Sequence, residues 1–301
     1  MSSTGFFSSF KTSQRRQRQI ALVLKYLISL ILISFALFPI IWIISASINP
    51  ANSLASQKLI PDNATLQNYE MLLTENDFSA IYPYTQWFIN SLKLASITTL
   101  FSISITTMAA YAFSRFRFRQ RQNMLRGILL VQVFPSLLVV VAVFLLIQQL
   151  GRVIPAINLD THAGLILVYL GGAMGINIWL MKGYFDSIPR EIDESAMVDG
   201  ATHWQIFTRL LLPLMRPIII VVAILSFIFV YGDFILAQTL LKTTEQYPLT
   251  VGLYIFTSGQ FSQQWGIFAA GALMGALPIV IIYLILQDQI VGGLTQGAVK
   301  G

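Results

Sequence analysis

The chain has 301 residues, of which 55% are hydrophobic and only 11% are charged, and its mean hydropathy is +0.70. Soluble domains carry about 25% charged residues, so this composition excludes a soluble globular protein, a disordered chain and a fibrous repeat. The absence of cysteine excludes disulfides and thiolate chemistry, and the net charge of +6 makes the placement of the basic residues informative.

Six long uncharged stretches predict an all-α integral membrane protein with six transmembrane helices. About 20 residues of helix cross the ~30 Å hydrocarbon layer, and a helix satisfies its backbone groups internally where lipid offers no partner. The stretches are 26–46, 94–114, 127–150, 163–181, 217–232 and 268–287. The fifth is short, but its apolar character continues past Asp233 to Leu241.

Glycine and proline are expected to shape the helices inside these stretches. Small residues let transmembrane helices approach closely, so we expect tight packing at Gly171, Gly172 and Gly175. Proline interrupts the hydrogen bonding of a helix, so we expect kinks at Pro39, Pro135 and Pro278.

The distribution of lysine and arginine predicts the orientation, because cytoplasmic loops are enriched in these residues. Three basic residues fall on one side, Lys58, Arg152 and Lys242. Fifteen fall on the other, namely Lys11, Arg15, Arg16, Arg18, Lys25, Arg115, Arg117, Arg119, Arg121, Arg126, Lys182, Arg190, Arg209, Arg216 and Lys300. This places both termini in the cytoplasm and the loops 47–86, 151–162 and 242–266 outside.

This topology also accounts for the net charge. The run 115–126 is interpreted as a membrane-orienting loop beside anionic headgroups, so membrane lipids are expected partners and nucleic acid is not.

Sequence signatures of catalysis are absent. The chain has no P-loop and no H-E-x-x-H, and His162 and His203 fall in loops on opposite sides, so neither a catalytic residue nor a metal site is expected. Asp233 is the one acidic candidate in the membrane; it either lines a pathway or lies exposed at the boundary. The alternative of a self-sufficient secondary carrier or channel for a small solute is weakened, because proton-driven carriers keep several buried ionisable groups.

The longest predicted cytoplasmic loop contains two short amphipathic helices. Ser187 is expected to cap the first, over 190–199, and Gly200 to end it in the left-handed conformation. Thr202 and Gln205 have the spacing of a capping box for the second helix.

The first of these helices presents a small face. Ile192, Ser195 and Ala196 lie beside Glu194, so the helix can enter a groove of another protein while the glutamate pairs with a cation there. The alternative is a surface helix that rests on the headgroups.

The residues Glu194–Ser195–Ala196, Gly200 and Leu212–Pro213 resemble the EAA loop of permease subunits of binding-protein-dependent ABC importers. The string 194–205 is similar to the carbohydrate-uptake branch, although Ser195 replaces the family's second alanine. The motif stands between the fourth and fifth stretches, which is the family position. The resemblance covers nearly the whole chain from the first span, and 293–301 is similar to the tail of the smaller permease of maltose/maltodextrin importers (MalG).

The resemblance implies the type I ABC importer permease fold in a bacterial or archaeal cytoplasmic (inner) membrane. Residues 1–19 would form a basic cytoplasmic N-terminal extension and 20–291 the six-helix permease domain. Within that domain, 183–216 would be the cytoplasmic coupling loop and 242–266 an external loop. Residues 292–301 would form a cytoplasmic C-terminal tail.

The resemblance also implies the partners. A second homologous permease, a dimer of ABC ATPase subunits and an extracytoplasmic sugar-binding protein would assemble with this chain to import maltose/maltodextrin-type oligosaccharides. The chain itself would bind no cofactor, because ATP and Mg bind on the partner ATPase. ATPase closure would drive alternating access through the EAA loop.

The resemblance assigns roles to individual residues of the EAA loop. Glu194 would make the charged contact with the ATPase, Ser195 and Ala196 would form the docking face, and Gly200 would set the turn. The complete set for ATPase coupling is Glu194, Ser195, Ala196, Asp199, Gly200, Ala201 and Pro213.

Two further segments receive roles from the resemblance. Tyr254, Ser258, Gly259 and Gln260 would form an external scoop loop that helps to displace the sugar; the alternative for its aromatic residues is an interfacial belt. Thr295, Gln296 and Gly297 would bring the C-terminal tail into contact with the ATPase dimer; the alternative is a frayed end.

Overall fold

The computed structural model describes residues 5–52, 58–75, 77–259 and 263–298, and this part of the chain contains helices and no strand, which confirms the all-α prediction. The α-helices are α1 (Gly5–Ser47), α2 (Gln67–Leu73), α3 (Asp77–Ile81), α4 (Tyr84–Arg115), α5 (Arg121–Val133), α6 (Ser136–Val153), α7 (His162–Ser187), α8 (Glu191–Val198), α9 (His203–Gln205), α10 (Leu212–Leu214), α11 (Arg216–Tyr231), α12 (Ile235–Leu240), α13 (Leu249–Ser258) and α14 (Trp265–Ala298). A π-helix, Ile206–Leu211, joins α9 to α10, and a 3₁₀ turn, Thr244–Gln246, precedes α13.

The helices supply between three and six membrane spans by length and composition. The apolar parts of α1, α4 and α14 are each long enough to cross a bilayer unbroken. Three bent pairs bring the number to six where each pair counts as one span: α5 with α6 at 109°, the two halves of α7 at 47°, and α9–α10 with α11 at 76°.

Helix α4 lies at the centre of the packing, against both α7 and α11. Its buried face carries hydroxyl side chains, and Thr107 donates a hydrogen bond to the Met181 sulfur of α7 at 3.1 Å. Asn177 of α7 donates to the Ser226 hydroxyl of α11 at 2.9 Å. Polar contacts of this kind join helices where the hydrophobic effect cannot, because lipid is as apolar as the side chains.

Helix α4 also connects the two ends of the molecule. Its 32 residues span about 48 Å at 1.5 Å per residue. Near its start, Trp87 Nε1 donates to the Thr244 carbonyl at 2.8 Å. At its end, Arg115 donates to the Phe185 carbonyl at 3.1 Å. We call the end of the molecule that contains Trp87 and residues 242–259 the α13 end, and the end that contains Arg115 and residues 185–216 the α8 end. Loops that were predicted to share a side of the membrane meet at the same end.

The expected effects of glycine were partly wrong. A Cβ added at Gly171 or Gly172 would meet nothing within 4 Å, so these residues do not pack closely in this chain. A Cβ at Gly175 would lie 2.0 Å from Gln132 Nε2, which confirms close packing of α7 against α5 at that position. The 47° bend of α7 falls just after the Gly171–Gly172 pair.

The prolines also differ from one another. Pro135 lies at the break between α5 and α6, as expected for a residue that cannot continue a helix. Pro39 and Pro278 lie inside α1 and α14, each of which runs on as one helix past its proline.

Candidate functional site

Helix α8 begins directly after Arg190 with three acidic residues in its first turn, where they interact favourably with the positive end of the helix dipole. The expected cap by Ser187 was wrong. Ser187 ends α7, and its hydroxyl donates back to the Tyr184 carbonyl at 2.7 Å. The three residues between the helices, Ile188, Pro189 and Arg190, turn the chain from α7 into α8.

Gly200 ends α8 as the sequence predicted. Its φ of +83° lies in the left-handed region. The Gly200 amide donates to the Met197 carbonyl at 3.0 Å, and the Ala201 amide donates to the Ala196 carbonyl at 3.0 Å. These two bonds form a Schellman motif, which pairs carbonyls that would otherwise be left open at the end of the helix.

The capping box of the next helix is also confirmed. The Gln205 amide donates to the Thr202 hydroxyl at 3.3 Å, and the Thr202 amide donates to Gln205 Oε1 at 2.8 Å. The chain continues as the wider π-helix and then as α10, which ends at Leu214, close to the expected stop at Pro213.

An apolar cluster lies beneath α8 and α9 and holds them against the bundle. Its members come from α4, α7, the π-helix and α11, and they include Tyr111, Phe185, Phe207 and Leu211, all buried. The Tyr111 ring lies 4.9 Å from the Phe207 ring, centroid to centroid. The small helices therefore rest on a packed base instead of extending freely from the bundle.

A buried ion pair adds a polar connection beside this cluster. Arg115 Nε, at the end of α4, lies 2.5 Å from Asp193 Oδ2, in the first turn of α8, and the two side chains are only 7% and 8% exposed. The other arginine nitrogens donate to the Phe185 and Ile188 carbonyls, each at 3.1 Å. The interpretation of Arg115 as a headgroup-facing charge was therefore wrong.

The predicted coupling residues form one continuous segment around the Schellman turn, with Pro213 further along in α10. Glu194, Ser195, Asp199 and Gly200 are exposed. Ala196 and Ala201 are half-buried and pack against the apolar cluster.

Sequence reasoning missed the large apolar side chains at this end. Val198 is 87% exposed and Trp204 is 64% exposed, and both lie next to the predicted docking face. Exposed large apolar side chains that flank a short helix are typical of a protein-binding surface. The available signal was that two bulky apolar residues, Met197 and Val198, follow the small residues Ser195 and Ala196.

The predicted external loop 242–266 is largely helical. Tyr254 and Ser258 lie in α13, Gly259 follows it, and Gln260 lies outside the described residues. Tyr254 is exposed and packs edge-to-face on Phe234. Phe256 of the same helix is only 2% exposed, so its ring packs inside the bundle and does not reach the surface.

The segment before α13 is held firmly in place. Asp160 accepts hydrogen bonds from the Lys242 and Thr243 amides and from the Thr243 hydroxyl. Burial alone would raise the pKa of Asp160, but these hydrogen bonds outweigh it and hold the pKa below its usual value. Asn90 of α4 donates to the Glu245 carbonyl of the same segment at 2.8 Å.

Asp233 has a definite structural role. Its Oδ2 accepts from the Tyr169 hydroxyl at 2.9 Å and from the Ala237 amide at 3.1 Å, so it caps the start of α12. The side chain is half-buried, which excludes the interpretation of an exposed boundary residue.

The tail residues Thr295, Gln296 and Gly297 lie in the last part of α14, which extends to Ala298. The segment predicted as a short tail is therefore continuous with the last long helix as far as Ala298. The proposed contact of this segment with an ATPase stays a prediction.

Comparison with known proteins decides the family. Residues 102–293, more than half of the chain, match the family described as "Binding-protein-dependent transport system inner membrane component". The chain belongs to this family. Membership shows a multi-pass protein of the cell membrane that serves as a permease subunit in an ABC importer, and the sugar permeases to which the chain is similar place it in sugar transport. It overturns the alternative of a self-sufficient carrier or channel.

Relatives of this family align with nearly the full chain. The galactooligosaccharides transport system permease protein GanQ of Bacillus subtilis is 40% identical over 285 residues, which cover 95% of this chain and 98% of GanQ. The maltose/maltodextrin transport system permease protein MalG of Vibrio vulnificus is 42% identical over 276 residues, which cover 89% and 92%.

A solved structure confirms the permease fold. A chain of a bacterial ABC transporter involved in the import of the acidic polysaccharide alginate superposes with a TM-score of 0.74 at 25% identity, covering 91% of this chain and 97% of the other. Permease subunits of such importers have no ATPase site, because the ATPase is a separate subunit, and this agrees with the absence of a P-loop here.

Proposed function

We propose that this chain is the membrane-spanning permease of an ATP-driven importer of maltose/maltodextrin-type oligosaccharides and that its α8 end docks on the ATPase. The observation that carries the docking proposal is the surface around Gly200. It combines an exposed carboxylate, Glu194, with the exposed apolar side chains of Val198 and Trp204 on a buried base.

The geometry of α8 suits entry into a groove. Ser195 and Ala196 leave the centre of the helix narrow, and Val198 extends beyond it as an apolar anchor. A cation in the groove of the ATPase would pair with Glu194. Movement of the ATPase would then displace α8, and the bundle would alternate between inward-facing and outward-facing states.

The proposed assembly has four kinds of component. A second homologous permease would complete the pathway, and a dimer of ATPase subunits would bind ATP and Mg. An extracytoplasmic sugar-binding protein would deliver the oligosaccharide to the α13 end. There the exposed ring of Tyr254 and the segment Ser258 to Gln260 would contact the sugar, since aromatic faces stack on sugar rings and amides bond hydroxyls.

Docking through Glu194 is tested with a charge reversal. We expect Glu194→Lys to enter the membrane and assemble normally but to lose ATP-driven uptake in proteoliposomes, because two cations would then face each other. Glu75→Lys, at an exposed glutamate between α2 and α3, is the matched control and should transport normally. Unchanged uptake by the Glu194→Lys variant would remove this residue from the docking surface.

The relatives of this chain include a maltose/maltodextrin permease and a galactooligosaccharide permease. The transported sugar is therefore determined by a competition experiment. Proteoliposomes that contain the complete importer and internal ATP are supplied with the binding protein and labelled maltotriose. We expect uptake that excess unlabelled maltodextrin suppresses and galactooligosaccharide does not. Suppression by galactooligosaccharide alone would replace the maltose-type assignment by the substrate class of GanQ.

A further inference from the structure

The ion pair between Arg115 and Asp193 joins the helix that docks to the helix that crosses the whole bundle. We infer that Arg115 and Asp193 are positioning residues of the transport cycle: they transmit the displacement of α8 to α4 and α7. The inference rests on the proposed docking of α8 on an ATPase.

Three helices meet at the Arg115 guanidinium. The residue itself ends α4, its Nε faces Asp193 of α8, and its terminal nitrogens donate to the carbonyls of Phe185 and Ile188 at the end of α7. A second arginine reinforces the junction, since Arg190 donates to the Ser114 carbonyl at 2.9 Å. No displacement of α8 along or across α4 preserves all of these contacts unless the three helices move together.

The polar junction at Arg115 restricts sliding between the helices, which the neighbouring apolar cluster does not. Packed apolar side chains resist separation, but contacts between them have no preferred direction and permit small sliding. An ion pair with additional hydrogen bonds fixes both distance and orientation. In the described part of the chain neither Asp193 Oδ1 nor Arg115 Nε has a hydrogen-bond partner, so the contact between the two residues is a close approach of opposite charges. The orientation of the junction is fixed by the hydrogen bonds that Arg115 and Arg190 donate to backbone carbonyls of α7 and α4.

The displacement can reach the opposite end through α4 alone. About 40 Å from Arg115 along the helix, the first turns of α4 hold the segment before α13, through Trp87 to the Thr244 carbonyl and Asn90 to the Glu245 carbonyl. The polar tie between Asn177 and Ser226 connects α7 and α11 between the two ends. A movement of α8 is therefore expected at the segment that precedes the predicted scoop.

The competing explanation is that the ion pair only stabilises the folded protein. Three variants distinguish this explanation from a positioning role. Asp193→Asn leaves a buried arginine without its counter-ion, so it weakens both folding and positioning. Asp193→Glu keeps the charge. The double variant Arg115→Gln/Asp193→Asn removes both charges, which relieves the unpaired charge but leaves α8 without its ion pair.

The measurement is the amount of sugar transported per ATP hydrolysed, in proteoliposomes that contain the complete importer. We expect this ratio to fall at least tenfold in Asp193→Asn and in the double variant, even though the double variant regains the thermal stability that Asp193→Asn loses through its unpaired charge. Asp193→Glu should largely restore the ratio. The control is Lys182→Gln, which breaks the Lys182–Asp186 pair of 2.5 Å inside α7 without separating two helices; it should keep the wild-type ratio.

The outcomes distinguish this inference from the proposed function. A wild-type ratio in the stable double variant would overturn the positioning role and leave folding as the explanation. A wild-type importer that takes up sugar without hydrolysing ATP would overturn the proposed function instead.

Discussion

Replacement of Gly200 by alanine is the sharpest local test of the turn after α8. The Gly200 φ of +83° is one that residues with a Cβ rarely adopt. An added Cβ would meet nothing within 4 Å, so steric crowding contributes nothing and the backbone conformation sets the whole effect. An L-residue pays about 1–2 kcal/mol in this region, which corresponds to roughly a 5- to 30-fold shift toward the open turn.

The open turn is measured by hydrogen–deuterium exchange of the amides of residues 200 and 201, which the Schellman motif protects. We expect Gly200→Ala to speed their exchange by roughly 5- to 30-fold and to lower ATP-driven uptake. Gly200→Asn should lie between alanine and the wild type, because asparagine tolerates the left-handed region better.

A matched control is available one helix earlier. Gly183 lies inside α7, also with nothing within 4 Å of an added Cβ, so Gly183→Ala should leave exchange at the turn unchanged. Equal exchange in the two alanine variants, or full uptake in Gly200→Val, would refute the assignment of a required left-handed turn.

Three further predictions concern the cap, the packing of α13 and the scoop. Thr202→Ala should destabilise the start of α9 by about 0.5–2 kcal/mol, seen as faster exchange of the amide three residues later; unchanged exchange would contradict the capping box. Gly252→Ala would place a Cβ 2.1 Å from the Trp87 ring, so it should cost about 1–3 kcal/mol and lower the thermal midpoint, unlike Gly127→Ala, which has free space. Shortening 258–264 should lower uptake in a complex that still assembles, and normal uptake would count against the scoop.

Features that depend on local sequence were predictable. The left-handed turn at Gly200 and the capping box of Thr202 and Gln205 depend only on residues a few positions apart in the chain. Both predictions were confirmed. The apolar stretches also predicted α1, α4, α7, α11 and α14, because the length of such a stretch is a property of the chain alone. The stretch 127–150, predicted as one span, is divided between α5 and α6 at Pro135.

Features that depend on distant partners were not predictable. The segment of α13 has only ten residues, too few to cross a bilayer, and its burial follows from contact with Trp87, which sequence spacing does not reveal. Arg115 belongs to a run of basic residues, and the sequence does not distinguish it from the other arginines of that run. Only the fold brings it next to Asp193. The hydrophobic pattern also gave no reason for Ser187 to end α7 instead of capping α8.

The central claim is that this chain works as one part of an ATP-driven assembly. The most direct test is to isolate the tagged chain from its native membranes in mild detergent and to identify its companions by mass spectrometry. A second permease and a P-loop ATPase should accompany it in a ratio of about 1:1:2, as the resemblance to maltose-type importers implies, with uptake in proteoliposomes dependent on ATP. Isolation of this chain alone in a form that transports sugar without an ATPase would contradict the account.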